Sequence, residues 1–144
     1  MIKQLNVFVE NRPGRVRSVT DIMATNNINI SAFTIQDRGD YGLMKMIVDK
    51  AEDARLVLSE MGFACALKDI VAVCIPDKPG NLHKLTTIMY DNNVNIADVF
   101  GFVIAPSRTG VCCLEIHDTI KKSAIEKLES EGFKLLDNSD LTEL

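Results

Sequence analysis

Basic residues are few and scattered. No run of Lys and Arg forms a stripe, and 16 basic residues face 20 acidic ones for a net charge of −4. Phosphate backbones attract concentrated positive charge, so nucleic acid is not an expected partner. No stretch of ~18 apolar residues is present, so no helix is expected to span a bilayer, and no membrane partner is expected. The opening "MIKQLNVFVENRPG" has no long apolar segment and no cleavage site. It does not read as a signal peptide, and the cytoplasm is the expected compartment.

Histidine is as scarce. His83 and His117 are the only two and lie far apart, His83 on an expected solvent-facing helix surface. There is no Ser/His/Asp set, no metal-ligand cluster and no phosphate-binding Gly loop, and the carboxylates are scattered. Catalysis is not expected, and neither a metal nor a cofactor is called for. Cys65, Cys74, Cys112 and Cys113 make no C-x-x-C pair. Each falls in an apolar, strand-like run, where a reduced Cys acts as a small hydrophobe.

What the chain does have is a repeat. "ENRPG" at 10–14 is echoed by "PDKPG" at 76–80, and "TDIMATNNINI" at 20–30 by "TTIMYDNNVNI" at 86–96. At an offset of 66, Pro13/Pro79, Gly14/Gly80, Asn26/Asn92, Asn27/Asn93, Asn29/Asn95 and Ile30/Ile96 are identical. The offset grows to 68 at Gly42/Gly110 and 70 at Gly62/Gly132, placing four extra residues in loops or strand ends of the second copy. Two domains are expected, 1–68 and 69–144. Each would be marginal alone, because so short a chain buries little surface. No Gly/Ser linker separates them.

Period-2 and helical patterning give one element order for both copies. "QLNVFVE" alternates as a half-buried strand. Val16, Val19, Ile22 and Met23 form a helical stripe, mirrored by Leu82, Leu85, Ile88 and Met89. The Asn pairs at 26–27 and 92–93 end these helices, since Asn tolerates the left-handed conformation. "INISAFTIQD" and "LMKMIVD" are strands, Ala54, Val57, Leu58 and Met61 a second stripe, and "FACAL" a short last strand. The second copy continues with strands "IVAVCI", "VNIADVFGFVIA" and "VCCLEIHD", helix "KKSAIEKLESEG" and strand "FKLL". The class is α+β: two tandem ferredoxin-like βαββαβ domains, each an antiparallel sheet with both helices on one face.

A Gly that follows a strand and opens a helix has two readings. It makes a tight turn, or it lets the backbone approach a ligand whose carboxylate meets the first-turn N–H groups. Pro13 and Pro79 stiffen that approach. The pattern of strand, "[N/D]-[R/K]-P-G", amphipathic helix and "[I/V]-N-I" resembles the ACT domain, with two tandem copies over nearly the whole chain. "ENRPG" with "INI" is most similar to the serine-binding regulatory domain of 3-phosphoglycerate dehydrogenase. The resemblance implies a free amino acid bound between the loop of one domain and the strand-opening Asn of its neighbour, with domains joined side by side through edge strands.

On that basis the candidates in the first copy are Asn11, Arg12, Pro13, Gly14 and Arg15, with Asn29 and Ile30. In the second they are Asp77, Lys78, Pro79, Gly80 and Asn81, with Asn95 and Ile96. An Asn amide both donates to a carboxylate and accepts from an ammonium. The His that the serine-binding pattern carries two residues before the loop Asn is replaced by Val9 and Ile75. Arg12 and Arg15 make the first loop the more positive, and Asp77 opposes Lys78 in the second. The expected function is a non-catalytic, amino-acid-binding regulatory protein, in which a ligand between the domains shifts their packing and a partner's activity. A ligand-free interaction module, or a regulatory subunit of a metabolic enzyme, is the alternative. Phe8, Phe33, Leu43, Ile47, Cys74 and Val99 are expected on the sheet faces opposite the helices, a surface apolar enough to favour a homodimer or an enzyme partner.

Overall fold

The structure, a computed structural model, describes residues 1–117 and 120–143. The chain divides into two compact units, Lys3–Asp69 and a second that runs from Ile70 onward and includes Met1–Ile2. The first unit contains β1 (Ile2–Glu10), α1 (Arg15–Thr25), β2 (Ile30–Asp37), β3 (Tyr41–Val48), α2 (Ala51–Glu60) and the opening half of β4 (Ala64–Pro76). The second contains the rest of β4, α3 (Asn81–Asp91), β5 (Ile96–Ala105), β6 (Thr109–Ile116), α4 (Lys122–Ser130), β7 (Lys134–Leu136) and α5 (Asn138–Thr142).

In the first unit β3 pairs antiparallel with both β1 and β2, and β2 forms the sheet edge. In the second, β6 pairs antiparallel with β4 and β5, β7 takes the other side of β4, and β5 forms the edge. These are the two expected βαββαβ units. "FACAL" and "IVAVCI", expected as separate strands, run as the single 13-residue strand β4. Lys68-Asp69 between them supplies neither Gly nor Pro to turn the chain.

Each core follows the repeat. Leu5, Val7 and Val9 of β1 and Met44, Met46 and Val48 of β3 pack with Val19, Ile22 and Met23 of α1 and Ala54 and Leu58 of α2. In the second unit Val71, Val73, Ile75, Cys112 and Leu114 meet Leu85, Ile88, Met89, Ala124 and Leu128. Burying one such large aliphatic side chain contributes about 1.5–3 kcal/mol. Val16, Met61 and Leu82, expected in the helical stripes, are exposed at helix ends. Asn26 and Asn92 close α1 and α3 through side-chain N–H bonds of 2.8 Å to Ile22 O and Ile88 O, and Asn27 and Asn93 adopt φ of 53° and 55°.

Three further features depart from expectation. Gln4 and Asn6, the polar positions of the alternating "QLNVFVE" strand, are buried, and Gln4 Nε2 donates to Asn6 Oδ1 at 2.8 Å. Phe33 and Val99 pair with the core residues Met46 and Leu114, so they lie on the helix-facing side of their sheets, and Ile47 is buried. Register shifts at Ile30/Ala32 and Ile96/Asp98 put two residues against one and reverse the alternation that follows. Finally, α5 was not expected. Asp137 caps it by accepting from Asp140 N–H, while the Asp140 side chain accepts from Asp137 N–H, each at 2.9 Å. Asp118, the last residue of the expected strand "VCCLEIHD", lies outside the described residues.

Candidate ligand site

Both Pro-Gly loops end in a left-handed glycine that caps the next helix. Gly14 has φ 90° and Gly80 φ 88°, and a Cβ at either position would meet nothing within 4 Å. Backbone conformation therefore requires these glycines, whether or not a ligand approaches. Neither α1 nor α3 has a side-chain cap, so no side chain accepts from the N–H groups of those first turns. Arg15 and Asn81 N–H donate to Arg12 O and Lys78 O at 3.4 and 3.2 Å, which leaves the next N–H groups of each first turn without a side-chain acceptor.

The residue opening each loop latches the neighbouring hairpin. Asn11 donates its side-chain amide to Asp37 Oδ1 at 3.2 Å and Gly39 O at 2.9 Å, which uses both Nδ2 hydrogens. Asp77 accepts from Ser107 N–H at 2.8 Å, and its own N–H donates to Arg108 O at 3.2 Å. Asn81 donates to Pro76 O at 2.8 Å and ties the helix start back to the strand. In the first loop one arginine pairs with an acid at the surface, while the other keeps a buried Nε without a hydrogen-bond partner. The Arg12 Nε lies 2.6 Å from Glu10 Oε2, and the Arg15 guanidinium sits 4.4 Å from the Phe63 ring centroid. Pro13, Lys78 and Pro79 are exposed.

Asn29 and Asn95 are exposed at the starts of β2 and β5, and Ile30 and Ile96 pack on the cores. Each Asn lies at the opposite end of its edge strand from its own copy's loop, because that loop latches the hairpin at the strand's far end. The eight residues of β2 separate them by roughly 26 Å at ~3.3 Å per residue. No unit brings its own Asn to its own loop.

In the second unit a cleft of about 240 Å³ opens beside the loop. Ile75 to Lys78 and Leu82 form one wall, Gly101 to Val103 and Gly110 to Cys112 the other. The lining is apolar except at the mouth, where Asp77 and Lys78 place one charge of each sign. Such a pair complements a zwitterion. Of the lining residues, only Asp77 and Lys78 were candidates from sequence. Leu82, Gly101 and Cys112 were missed, although the repeat carried a signal: Ile35 and Met44 of the first copy become Gly101 and Cys112 in the second. A different cleft of about 280 Å³ runs between α3 and α4, and there Lys127 and Lys84 both pair with Glu131, at 2.9 and 3.9 Å. The cysteines behave as core residues: burial pushes the Cys112 thiol up, and that of Cys113 to about 12.

Over residues 1–144 the chain matches the ACT domain pair family. It belongs to that family. A solved protein from Bacteroides thetaiotaomicron is 31% identical and superposes on this ACT pair with a TM-score of 0.87, covering 99% of this chain and 96% of its own. The regulatory subunit of aspartate kinase from Thermus thermophilus, in its ligand-free form, is 19% identical with a TM-score of 0.67, covering 89% of this chain and 91% of its own. The corresponding subunit from Thermus flavus is 17% identical with a TM-score of 0.64, over 89% and 90%. At those identities the two kinase subunits share the fold. No curated protein matches significantly. Among the described residues, no helix is long and apolar enough to cross a membrane.

Proposed function

We propose that this ACT domain pair is a non-catalytic regulatory protein that binds a free amino acid and acts on a partner, such as a metabolic enzyme. The observation that carries the reading is the cleft beside the second Pro-Gly loop, with Asp77 and Lys78 at its mouth. Uncapped N–H groups at the start of α3 add donors for a carboxylate. The regulatory subunits of aspartate kinase that share the fold support the regulatory part of the proposal.

The effect on a partner arises by linkage. A ligand that binds one state of the pair better than another shifts the equilibrium by its difference in affinity, typically ~1–3 kcal/mol. The test is a thermal melt of the protein against each standard amino acid, since a ligand at 100 times its Kd adds about 2.7 kcal/mol of stability. At least one amino acid should raise the melting temperature by several degrees. Failure of all of them at millimolar concentration would refute amino-acid sensing.

A second reading, a scaffold without a ligand, draws on the apolar side chains left exposed along both sheet edges. Phe33 is 64% exposed and Val99 47%. They fit self-association or partner binding, which is compatible with a ligand, and the same melts separate the two readings.

A further inference from the structure

The two copies differ where the cleft lies. Ile35 corresponds to Gly101 at offset 66, and Met44 to Cys112 at offset 68. The two positions are cross-strand partners in both units, Ile35 with Met44 and Gly101 with Cys112. In the first unit the Ile35 Cγ2 lies 3.7 Å from where a Cβ on Gly42 would sit, beside Val9 Cγ2 at 3.4 Å. In the second unit the nearest atoms to the same position on Gly110 are the backbone oxygens of Phe102 and Ile75 and the side chain of Ile75, the counterpart of Val9. A β-branched side chain therefore fills that space in the first unit, with a long thioether as its cross-strand partner, while a hydrogen and a thiol stand at the matching positions of the second.

We propose that the second unit alone holds the amino-acid site, and that Gly101 with Cys112 sizes it for an aliphatic amino acid. The ligand side chain lies over Gly101 between Leu82 and Val103, its carboxylate toward Lys78 and its ammonium toward Asp77. Asp77 uses Oδ2 for Ser107 N–H, so the ammonium takes Oδ1. The proposal rests on the amino-acid reading above. Burial of each extra methylene favours binding about 4-fold, so leucine, three carbons larger than alanine, should bind roughly 50-fold more tightly.

Calorimetry on the full chain tests it. Leucine should bind at one equivalent per chain, alanine roughly 50-fold more weakly, and Gly101→Ile should abolish the leucine heat. A Cβ at Gly101 meets Val111 O at 3.3 Å, so circular dichroism must show that this variant is folded. Should it not fold, a pair of reporters decides. The chain contains no Trp, so Leu82→Trp and Val16→Trp each place a single fluorophore on corresponding rims. Leucine should shift the emission of the first and leave the second unchanged. Two equivalents per chain, wild-type affinity in folded Gly101→Ile, alanine binding as tightly as leucine, or a response in Val16→Trp would each overturn the proposal. If no amino acid gives heat or an emission change, it is amino-acid sensing itself that fails.

Discussion

Asp77 sits at the mouth of the cleft, yet its observed bond is structural, and the two roles separate by substitution. Asp77→Ala leaves Ser107 N–H without its acceptor in a residue already held at φ 61°, a conformation a non-Gly residue keeps only when its surroundings enforce it. A hydrogen bond to a charged group contributes about 1.5–3 kcal/mol. Ser107 is exposed and Asp77 half-buried, so water recovers part of the loss, and about 1–2 kcal/mol is expected. Asp77→Asn keeps a neutral acceptor and should lose about half as much. In urea, at roughly 1–3 kcal/mol per molar, the Ala variant should unfold at a midpoint lower by roughly 0.3–2 M. Amide exchange at Ser107 reads the same event locally, and its protection should fall roughly 5- to 30-fold at ~1.4 kcal/mol per decade. Unchanged Ser107 protection in the Ala variant, or equal losses in Ala and Asn, would refute a charge-assisted latch.

Light scattering at micromolar concentration should return about twice the 16.0 kDa chain mass, and Val99→Asp should reduce it toward one chain without unfolding. A wild-type monomer would remove the homodimer. The C-terminal helix should be sensitive to acid. Hydrogen bonds from Lys134 to Asp140, and from Ser139 to Asp137, hold both carboxyls below the ordinary value of 3.8, while the bond to Asp140 holds Lys134 above 10.5. Depressed carboxyl values stabilise fully above the unfolded pKa and less as pH falls through the folded one; the raised amine loses its contribution only as pH climbs through its folded value. Methyl resonances of the buried Leu141 should therefore hold constant from about pH 5 to 10 and move below pH 4. Movement between pH 5 and 7 would contradict that assignment.

Much of the architecture was legible because repetition and periodicity report the same thing: which backbone positions repeat and which faces are dry. Asn27 and Asn93 read correctly as helix ends, since few other residues accept φ near 55°. The facing of Phe33 and Val99 did not. A single extra residue at Ser31 or Ala97 reverses the side chains that follow it, Phe33 and Val99 among them, and a bulge carries no local signature as plain as Pro or Gly. Gln4 and Asn6 misled for a related reason. Their polarity signals exposure only when no partner is near, and each supplies the other's partner. The cleft was harder to read because its walls, from β4, the loop after it, α3, β5 and β6, meet only in the fold, and its one trace in the sequence was Gly101 and Cys112 where the first copy has Ile35 and Met44.

Of the candidate pairs chosen from sequence, Pro13/Pro79, Gly14/Gly80, Asn29/Asn95 and Ile30/Ile96 are identical in both copies, and identity at the glycines tracks backbone geometry. Gly14 and Gly80 share φ near 90°, and the paired Asn residues share the same helix closure; departure at either is strained in either copy. The edge-strand positions carry no such constraint. Ile35 is 43% exposed on the outermost strand of its sheet, so a smaller residue there leaves the core of the unit intact. A duplicated domain is therefore free to differentiate at its edges while its Pro-Gly turns stay fixed. A ligand preference in such a pair is written in the positions where the copies disagree. Here those are Ile35 against Gly101 and Met44 against Cys112, and they place the space for a side chain in the second copy.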